Sequence, residues 1–337
     1  MATLLSDLSV ADTTRSKRKR VLVLGATGTI GRATVRALIR QGHEVVCFIR
    51  LRAGESAQLF DGASIRHGDV SDPVSFKNQG FKDEQFDVVV SCLASRTGAP
   101  KDAWAIDYQA HVNALICAKQ AGVSQFVLLS AICVQKPLLA FQQAKLAFEK
   151  MLMESDITYS IVRPTAFFKS LSGQIERVKK GKPFLLFGDG TLTSCKPISD
   201  DDLGNYLVDC LHDQTRHNRI LPIGGPGAAI TPREQGEKLF VLLNKEARFK
   251  QVPVALLDAI VIVLSVLGRI IPVLADKAEL ARIGRYYATE SMLVWDAQTG
   301  TYDASATPST GTQTLFNYYA DVVTGVAAPE RGDHAVF

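Results

Sequence analysis

The fold of this chain is decided by residues 21–31, which read VLVLGATGTIG. Val21 to Leu24 form a short, continuous apolar run, as expected for a strand that is buried on both faces. Glycines follow at once, and apolar residues then recur at helical spacing from Thr29 to Arg40. The segment therefore predicts a buried strand, a tight turn and an amphipathic helix.

This strand–turn–helix segment has the glycine spacing of a dinucleotide-binding loop. Gly25 permits the tight turn, Gly28 lets the backbone approach a pyrophosphate, and Gly31 lets the helix pack closely on the strand. The helix N-terminus offers free N–H groups and the positive end of its dipole to the phosphates. The residues expected to contact the cofactor here are Gly25, Thr27, Gly28, Thr29, Ile30 and Gly31.

Strand and helix patterns alternate through the first half of the chain. Further strands are predicted at Glu44–Ile49, Ser64–Arg66, Asp87–Ser91, Gln125–Ser130 and Thr158–Val162, and helices at Ala105–Gln120 and Leu138–Met153. This alternation predicts an α/β fold of the Rossmann type, a doubly wound parallel sheet with a smaller, mainly helical C-terminal substrate region. The expected divisions are a disordered arm at 1–17, the NADP-binding domain at 18–165, a substrate-binding region at 166–330, partly interleaved with the sheet, and a tail at 331–337.

The end of the second strand indicates which dinucleotide binds. An acidic residue there would hydrogen-bond the ribose 2′-hydroxyl of NAD, but this strand ends in Arg50, with Arg52 close behind. A guanidinium pairs with the 2′-phosphate of NADP, so NADPH is the expected cofactor. Ligands lie at the carboxyl ends of parallel strands, which adds further expected cofactor contacts at Asp69, Val70, Leu93 and Ala94.

Charge and cysteine content exclude several other classes of protein. A net charge of +4 over 337 residues is too diffuse to indicate nucleic-acid binding. The six cysteines form no CxxC pair and have no histidine nearby at metal-ligand spacing, so neither a disulfide framework nor a zinc site is expected. A reducing, cytoplasmic compartment is the simplest setting.

Several of these motifs resemble those of the extended and atypical short-chain dehydrogenases. The likeness rests on the glycine loop, Asp69-Val70, the strand end Leu128-Leu129-Ser130-Ala131 and Arg163-Pro164-Thr165. Those enzymes usually carry Tyr-x-x-x-Lys on the helix after the fifth strand, where the tyrosine protonates a carbonyl oxygen. Here Lys145 is kept, but Phe141 takes the tyrosine position and has no proton to give. This change favours a hydride acceptor such as a conjugated C=C bond, which forms no oxyanion.

The whole chain further resembles the divinyl chlorophyllide 8-vinyl reductases. The most specific likeness lies in residues 284–292, GRYYATESM, together with Phe141 and Lys145. The resemblance implies NADPH-dependent reduction of the C8 vinyl group of 3,8-divinyl chlorophyllide or protochlorophyllide to ethyl. It also implies that Lys145 holds the nicotinamide ribose and that Ser130 faces the reactive end of the cofactor. The expected substrate contacts are Phe141, Arg163, Phe167 and Phe168, and the two adjacent phenylalanines fit core aromatics equally well. Arg163 or Lys169 is a candidate for the pigment carboxylate, but a solvated position or a structural salt bridge is favoured for each.

Two other functions are compatible with the same motifs. A redox-sensing regulator of the NmrA-like kind would bind NADP without turnover and would also lack the tyrosine. An isoflavone-reductase-like enzyme would act on other aromatic double bonds. Retention of Lys145 speaks against the sensor, and the long apolar C-terminal segment favours a tetrapyrrole over both alternatives.

The apolar stretch from Pro253 to Ala275 is interrupted by Asp258, Arg269 and Pro272. Its uninterrupted part, residues 259–268, is shorter than the roughly 20 residues that a bilayer requires. We therefore expect a buried or pocket-lining helix, with shallow contact with a membrane surface as the second interpretation. Peripheral contact with a photosynthetic membrane stays open, and the oligomeric state is not predicted.

Overall fold

The computed structural model describes residues 18–50 and 60–327. The predicted arm at 1–17, Arg52 and the tail at 331–337 lie outside this part of the chain. The strands are β1 (Arg20–Leu24), β2 (Glu44–Ile49), β3 (Ser64–His67), β4 (Val88–Ser91), β5 (Gln125–Leu129), β6 (Thr158–Pro164), β7 (Phe184–Phe187), β8 (Arg219–Ile223), β9 (Phe249–Val252), β10 (Val294–Asp296) and β11 (Thr301–Asp303).

Helices lie between the strands and form most of the C-terminal region. They are α1 (Thr29–Arg40), α2 (Pro73–Ser75), α3 (Pro100–Ala103), α4 (His111–Gln120), α5 (Ala140–Met153), α6 (Ile175–Lys179), α7 (Asp200–Asp209), α8 (Pro232–Leu242), α9 (Val254–Gly268), α10 (Pro272–Thr289) and α11 (Leu315–Thr324). The helix predicted at Ala105–Gln120 is π-helical over Trp104–Ala110 and α-helical only from His111.

Seven strands form one parallel sheet in the order β3-β2-β1-β4-β5-β6-β8. The strand order reverses at β1, so its carboxyl end and that of β4 border the crevice where such sheets bind ligands. The predicted doubly wound α/β fold is confirmed.

Alternate residues of β1 point into apolar cores on opposite sides of the sheet, as the two-residue period of a strand requires. Val21 and Val23 pack in the core that holds Leu38 of α1 and Leu203 of α7. Leu22 and Leu24 belong to the opposite core, with Phe126 and Phe148. Both faces of the sheet are therefore covered, which explains the continuous apolar run in the sequence.

Part of the C-terminal half belongs to the Rossmann layers. Helix α7 packs on α1 so closely that a Cβ at Gly204 would lie 2.8 Å from the carbonyl carbon of Ala33. Strand β8 pairs with β6 and becomes an edge strand of the sheet. A separate apolar core joins α6, α8, α11 and the small β7–β9 sheet.

Helix α9 contradicts the expectation of a buried or pocket-lining helix. None of its residues, all in the described part of the chain, is buried. It packs against α10, where a Cβ at Gly268 would lie 2.9 Å from the Ala275 backbone. One neighbouring helix covers one face of α9, and the opposite apolar face is left exposed. Across residues 18–50 and 60–327, no helix is both long enough and apolar enough to cross a bilayer.

Candidate active site

The glycine loop has the close contacts that its spacing predicts. Gly25 has φ +73°, and a Cβ there would lie 2.6 Å from the Cys92 backbone. A Cβ on Gly31 would overlap the carbonyl oxygen of Gly25. At Gly28, by contrast, an added Cβ would meet only the Gly25 oxygen, at 3.4 Å. The loop is thus tight against the protein at its two ends and open at Gly28, where the pyrophosphate of a dinucleotide would lie.

The N-terminus of α1 faces this opening. Gly28 caps the helix and no side chain bonds the cap, which leaves N–H groups of the first turn for an anion. Lys169 lies beside it and donates a hydrogen bond from Nζ to Oγ1 of Thr29 over 2.6 Å. The lysine expected near a pigment carboxylate therefore lies at the phosphate end of the cleft.

The predicted cofactor contacts from other strands lie along the same edge of the sheet. Arg50 directly follows β2 and is exposed. Asp69 follows β3 and its carboxylate accepts from the Ser71 N–H at 2.8 Å. The carbonyl of Val70 accepts from the Asn113 amide. Leu93 and Ala94 follow β4; Leu93 is half-buried and Ala94 is exposed. The sheet register therefore gathers all of these positions beside the glycine loop.

Lys145 is fixed by a buried carboxylate that the sequence analysis did not identify. Its Nζ lies 2.9 Å from Oδ1 of Asp107, and the exposed fractions of the two side chains are 11% and 0%. The Ser95 N–H donates to the same oxygen at 3.3 Å, whereas Oδ2 of Asp107 has no partner among the described residues. Asp107 lies in the π-helical stretch before α4, where no motif in the sequence marks it.

His111 lies next to this ion pair and is held neutral. Burial, and then the positive charge of Lys145, lowers the pKa of His111 to about 4. Its Nε2 lies 2.8 Å from the Ser91 hydroxyl, and Nδ1 lies 3.0 Å from the Ile106 carbonyl oxygen. The floor of the site therefore combines one paired cation with one uncharged imidazole.

Phe141 lies one turn before Lys145 on α5 and contributes to an apolar wall. It packs against a cluster that includes Ile132, Cys133, Ile283 and Tyr286. The Tyr286 hydroxyl donates to the Cys133 carbonyl at 2.9 Å, and burial raises the pKa of Tyr286 well above its usual value. This phenol is thus bonded to backbone, which leaves the wall apolar around Phe141.

Ser130 and Arg163 share one buried partner on α5. Both bond the buried carboxylate of Glu149, which lies one turn after Lys145 on α5. A fully buried carboxylate needs partners for its charge, and these two side chains supply them. Arg163 thus forms the structural salt bridge that the sequence favoured, and the role of Ser130 at the reactive end of the cofactor stays a prediction.

The two predicted aromatic contacts, Phe167 and Phe168, differ in where they pack. Phe168 is 3% exposed and packs on Tyr318 with ring centroids 5.5 Å apart, inside the C-terminal core. Its placement favours the core-aromatic interpretation, and a contact with the substrate stays a prediction. Phe167 is half-buried, pairs with Ile198 through a β-bridge and packs against the sheet core.

Comparisons with known proteins agree with a dinucleotide-binding fold. A protein family described as NAD(P)H-binding matches residues 25–214. The fold resembles the NADPH-dependent quinone oxidoreductase QOR2 from Escherichia coli, with a TM-score of 0.64 and 18% identity over 91% of this chain and 99% of that one.

Much higher identity is found with two plant proteins named divinyl chlorophyllide a 8-vinyl-reductase, chloroplastic. The protein from Cucumis sativus is 48% identical over 99% of this chain and 85% of its own length. The protein from Arabidopsis thaliana is 47% identical over 98% of this chain and 84% of its own length. Identity at this level over nearly the whole sequence means that the chain belongs to the divinyl chlorophyllide a 8-vinyl-reductase family.

Proposed function

We propose that this chain reduces the C8 vinyl group of a 3,8-divinyl chlorophyllide or protochlorophyllide to an ethyl group, with NADPH as the reductant. The observation that carries the proposal lies on α5, where Phe141 stands one helical turn before the Lys145–Asp107 ion pair. The site keeps the cation expected at the nicotinamide ribose but lacks the phenol that carbonyl chemistry requires. The relatives from Cucumis sativus and Arabidopsis thaliana are named for the 8-vinyl reaction.

Three features of the chain fit a bound dinucleotide. The open backbone at Gly28 leaves room for a pyrophosphate, and Lys169 beside Thr29 adds a positive charge there. Lys145 is held by Asp107 at the other end of the cleft, where it would hydrogen-bond the nicotinamide ribose. Bound NADPH supplies the hydride for the vinyl group, and a proton completes the ethyl group.

The residues around Phe141 suit an acceptor that needs no oxyanion. A vinyl group conjugated to a macrocycle delocalises added charge into the ring, so a hydroxyl at position 141 is unnecessary. Phe141 is only partly buried, and the buried Ile283 and Tyr286 pack behind it, so the side of the site next to Phe141 is apolar, as a flat apolar ring requires. Lys145 positions the reductant, and Asp107 acts through Lys145 as a positioning residue.

Preference for NADPH over NADH is assigned to Arg50. This exposed side chain follows β2 directly, at the edge where the adenosine ribose of a dinucleotide lies. No acidic residue follows β2 in its place, so an NAD ribose would lack its usual partner.

The proposal is tested by an anaerobic assay with NADPH and 3,8-divinyl chlorophyllide a, following the Soret band and the product mass. We expect a product heavier by two hydrogens, with NADH a much poorer reductant. Binding of NADPH without reduction of any divinyl tetrapyrrole would reject the enzyme and favour the redox-sensing regulator.

Lys145 provides the matching site test. Lys145→Met should lower kcat/KM by about a hundredfold, since a small displacement of a bound reactant costs that much. Lys150→Met changes an exposed lysine of the same helix and should leave turnover unchanged. Because Lys145→Met leaves Asp107 buried without its cation, the double variant Asp107→Asn/Lys145→Met separates loss of activity from loss of folding. A folded double variant with normal turnover would contradict the role of Lys145.

Location is part of the same proposal. We expect the protein to work in a reducing compartment at the surface of a photosynthetic membrane. All six cysteines are buried thiols, the two plant relatives are named chloroplastic, and the exposed face of α9 is apolar. A cell fractionation that recovers the protein away from pigment-bearing membranes at low ionic strength would contradict the membrane location.

A further inference from the structure

Helix α9 has its polar and apolar faces reversed relative to a helix on a water-exposed surface. Its polar side chains Asp258 and Ser265 bond residues of α10. Its exposed apolar residues recur about every helical turn and continue past the end of the helix. We call this surface the apolar stripe; its members are Leu256, Ile260, Ile262, Val263, Val266, Leu267, Ile270, Ile271 and Val273.

The exposure along the stripe is large and continuous. Val263 is 54% exposed, Ile270 is 81% exposed and Val273 is 67% exposed. Scattered apolar residues on a surface are ordinary, but a contiguous patch of this kind marks a surface that another apolar phase covers. The stripe runs along a helix of 15 residues, about 22 Å long, which is too short to cross a bilayer.

The charges near the stripe are neutralised on the α10 side. Asp258, the one charged residue in the sequence of α9, pairs with Arg285. Arg282 bridges the helices, donating to the Ser265 hydroxyl at 2.7 Å and to Glu279 at 2.8 Å. Placing the stripe in an apolar medium therefore does not require burial of an unpaired charge from this helix.

Basic residues flank the stripe at both ends. Lys250 is exposed on β9, Arg248 is exposed just before that strand together with the acidic Glu246, and Arg269 is exposed where α9 ends. Around the turn between α9 and α10, two exposed basic residues, Arg269 and Lys277, outnumber the acidic residue Asp276. An apolar helix with basic ends suits an anionic lipid surface, where the helix lies in the plane of the headgroups.

The same charges disfavour a second copy of this chain as the cover. Packed antiparallel, two α9 helices would bring Arg248 and Lys250 of one copy towards Arg269 of the other. Packed parallel, they would bring identical basic ends together. Like charges meet in both arrangements, whereas an anionic bilayer complements both ends at once.

The α9–α10 hairpin is attached to the wall of the candidate site. Glu279 of α10 accepts from the N–H of Ala140, the first residue of α5, at 3.3 Å. Ile283 lies so close to Gly98 that a Cβ there would be 2.8 Å from its Cδ1. Ile283 and Tyr286 also pack in the cluster that holds Phe141. One rigid element thus connects the exposed stripe to the apolar wall of the cleft.

We propose that the apolar stripe seats the protein on one leaflet of an anionic bilayer, and that the pigment reaches the Phe141 wall along the α9–α10 hairpin. The second part rests on the proposed function. The first part deepens the proposed membrane location and does not depend on the proposed reaction.

The test compares two matched triple variants. Val263→Ser/Val266→Ser/Val273→Ser alters the stripe. Val74→Ser/Val241→Ser/Val326→Ser alters three valines elsewhere that are 64%, 71% and 80% exposed. Each protein is floated with vesicles of equal parts phosphatidylglycerol and phosphatidylcholine, and with vesicles of phosphatidylcholine alone. We expect the wild type and the control to float with the anionic vesicles, and the stripe variant to bind them at least about tenfold more weakly.

Two outcomes would overturn membrane seating. One is a wild type that stays in the dense fraction or floats equally with neutral vesicles. The other is a stripe variant that floats like the control. A wild type that is dimeric by light scattering, with a monomeric stripe variant and no flotation, would assign the stripe to a second copy instead.

Delivery of the pigment is tested by turnover in two substrate forms. With divinyl chlorophyllide dispersed in detergent, both variants should match the wild type. With the pigment embedded in anionic vesicles, the stripe variant should lose about tenfold in rate, in proportion to its lost binding. Equal rates on embedded pigment would overturn delivery along the hairpin. If the wild type reduces neither form while flotation holds, the proposed reaction fails and the membrane seat stands.

Discussion

Helices α1 and α9 use apolar side chains in opposite ways. Helix α1 buries Ile30, Val35 and Leu38 against the sheet and exposes Arg36 and Arg40. Helix α9 is more apolar in sequence but buries none of its residues within the described chain. The difference shows that an apolar face predicts which side of a helix leaves water, but not what covers it. For α1 the cover is the sheet of the same chain.

The largest expected effect comes from a glycine-to-alanine substitution, made once in the glycine loop at the start of α1 and once in α10, the helix that packs on α9. Gly31→Ala should weaken NADPH binding by more than about a hundredfold, because the new Cβ overlaps the Gly25 carbonyl and moves the loop. Gly284→Ala in α10 meets nothing within 4 Å and should bind NADPH normally, with up to about 1 kcal/mol of added stability. Fluorescence titration with NADPH measures both. Normal affinity in Gly31→Ala would contradict the tight packing of the loop.

A pair of leucine substitutions tests burial directly. Leu38→Ala on α1 should lower the free energy of unfolding by about 3 kcal/mol, since this side chain is fully buried. Leu256→Ala on α9, which is 51% exposed, should change it by less than about 0.5 kcal/mol. Urea denaturation in the absence of lipid gives both values. A similar loss for Leu256→Ala would mean that protein covers the stripe in solution.

The proposed determinant of cofactor preference is Arg50, directly after β2. Arg50→Gln should reduce the preference for NADPH over NADH by about ten- to a hundredfold, as expected for loss of a hydrogen bond to a charged group. Arg219→Gln changes an exposed arginine at the start of β8, on the opposite edge of the sheet, and should leave the preference unchanged. Steady-state kinetics with both cofactors decides it, and an unchanged ratio in Arg50→Gln would remove the arginine from the site.

A smaller effect is expected on the pH dependence of the free energy of unfolding, and it arises from His111, a buried residue of the Rossmann half. Burial and the charge of Lys145 lower the pKa of His111 from 6.5 to about 4, so the unfolded chain binds more protons between these values. His111 should therefore contribute a loss of about 2 kcal/mol in unfolding free energy from pH 7 to pH 5, with no further loss well below pH 4. Urea denaturation of His111→Gln at both pH values should show a correspondingly weaker pH dependence. An identical dependence in the variant would show that His111 is accessible to protons when folded.

Local pattern predicted the sheet and the glycine loop well. The strand at Val21–Leu24, the helix at Thr29–Arg40 and the parallel arrangement all follow from neighbouring residues, which is why they could be read from the sequence. The family resemblance came from short motifs in the same way.

The contacts that the sequence did not predict arise where distant residues decide the placement. The Ser130 hydroxyl donates a hydrogen bond to Glu149 of α5, and the ring of Phe168 packs against Tyr318, which lies 150 positions later. The contact between Lys169 and Thr29 joins residues 140 positions apart, and no spacing rule indicates it. Asp107 lies on a π-helical stretch whose register differs from the α-helix assumed for it. Each of these contacts depends on tertiary packing, which a periodic pattern does not contain.

Strand β8 and helix α7 have a consequence for how this chain can be recombined. A gene fragment ending near residue 165 would encode a sheet without its β8 edge, and an α1 helix stripped of the neighbour that covers Ala33. The cofactor-binding half is therefore not expected to fold on its own as a separate fragment, although its motifs end early in the chain. Chimeras between relatives are expected to fold only when each crossover keeps α1 with α7, and β6 with β8, from the same parent.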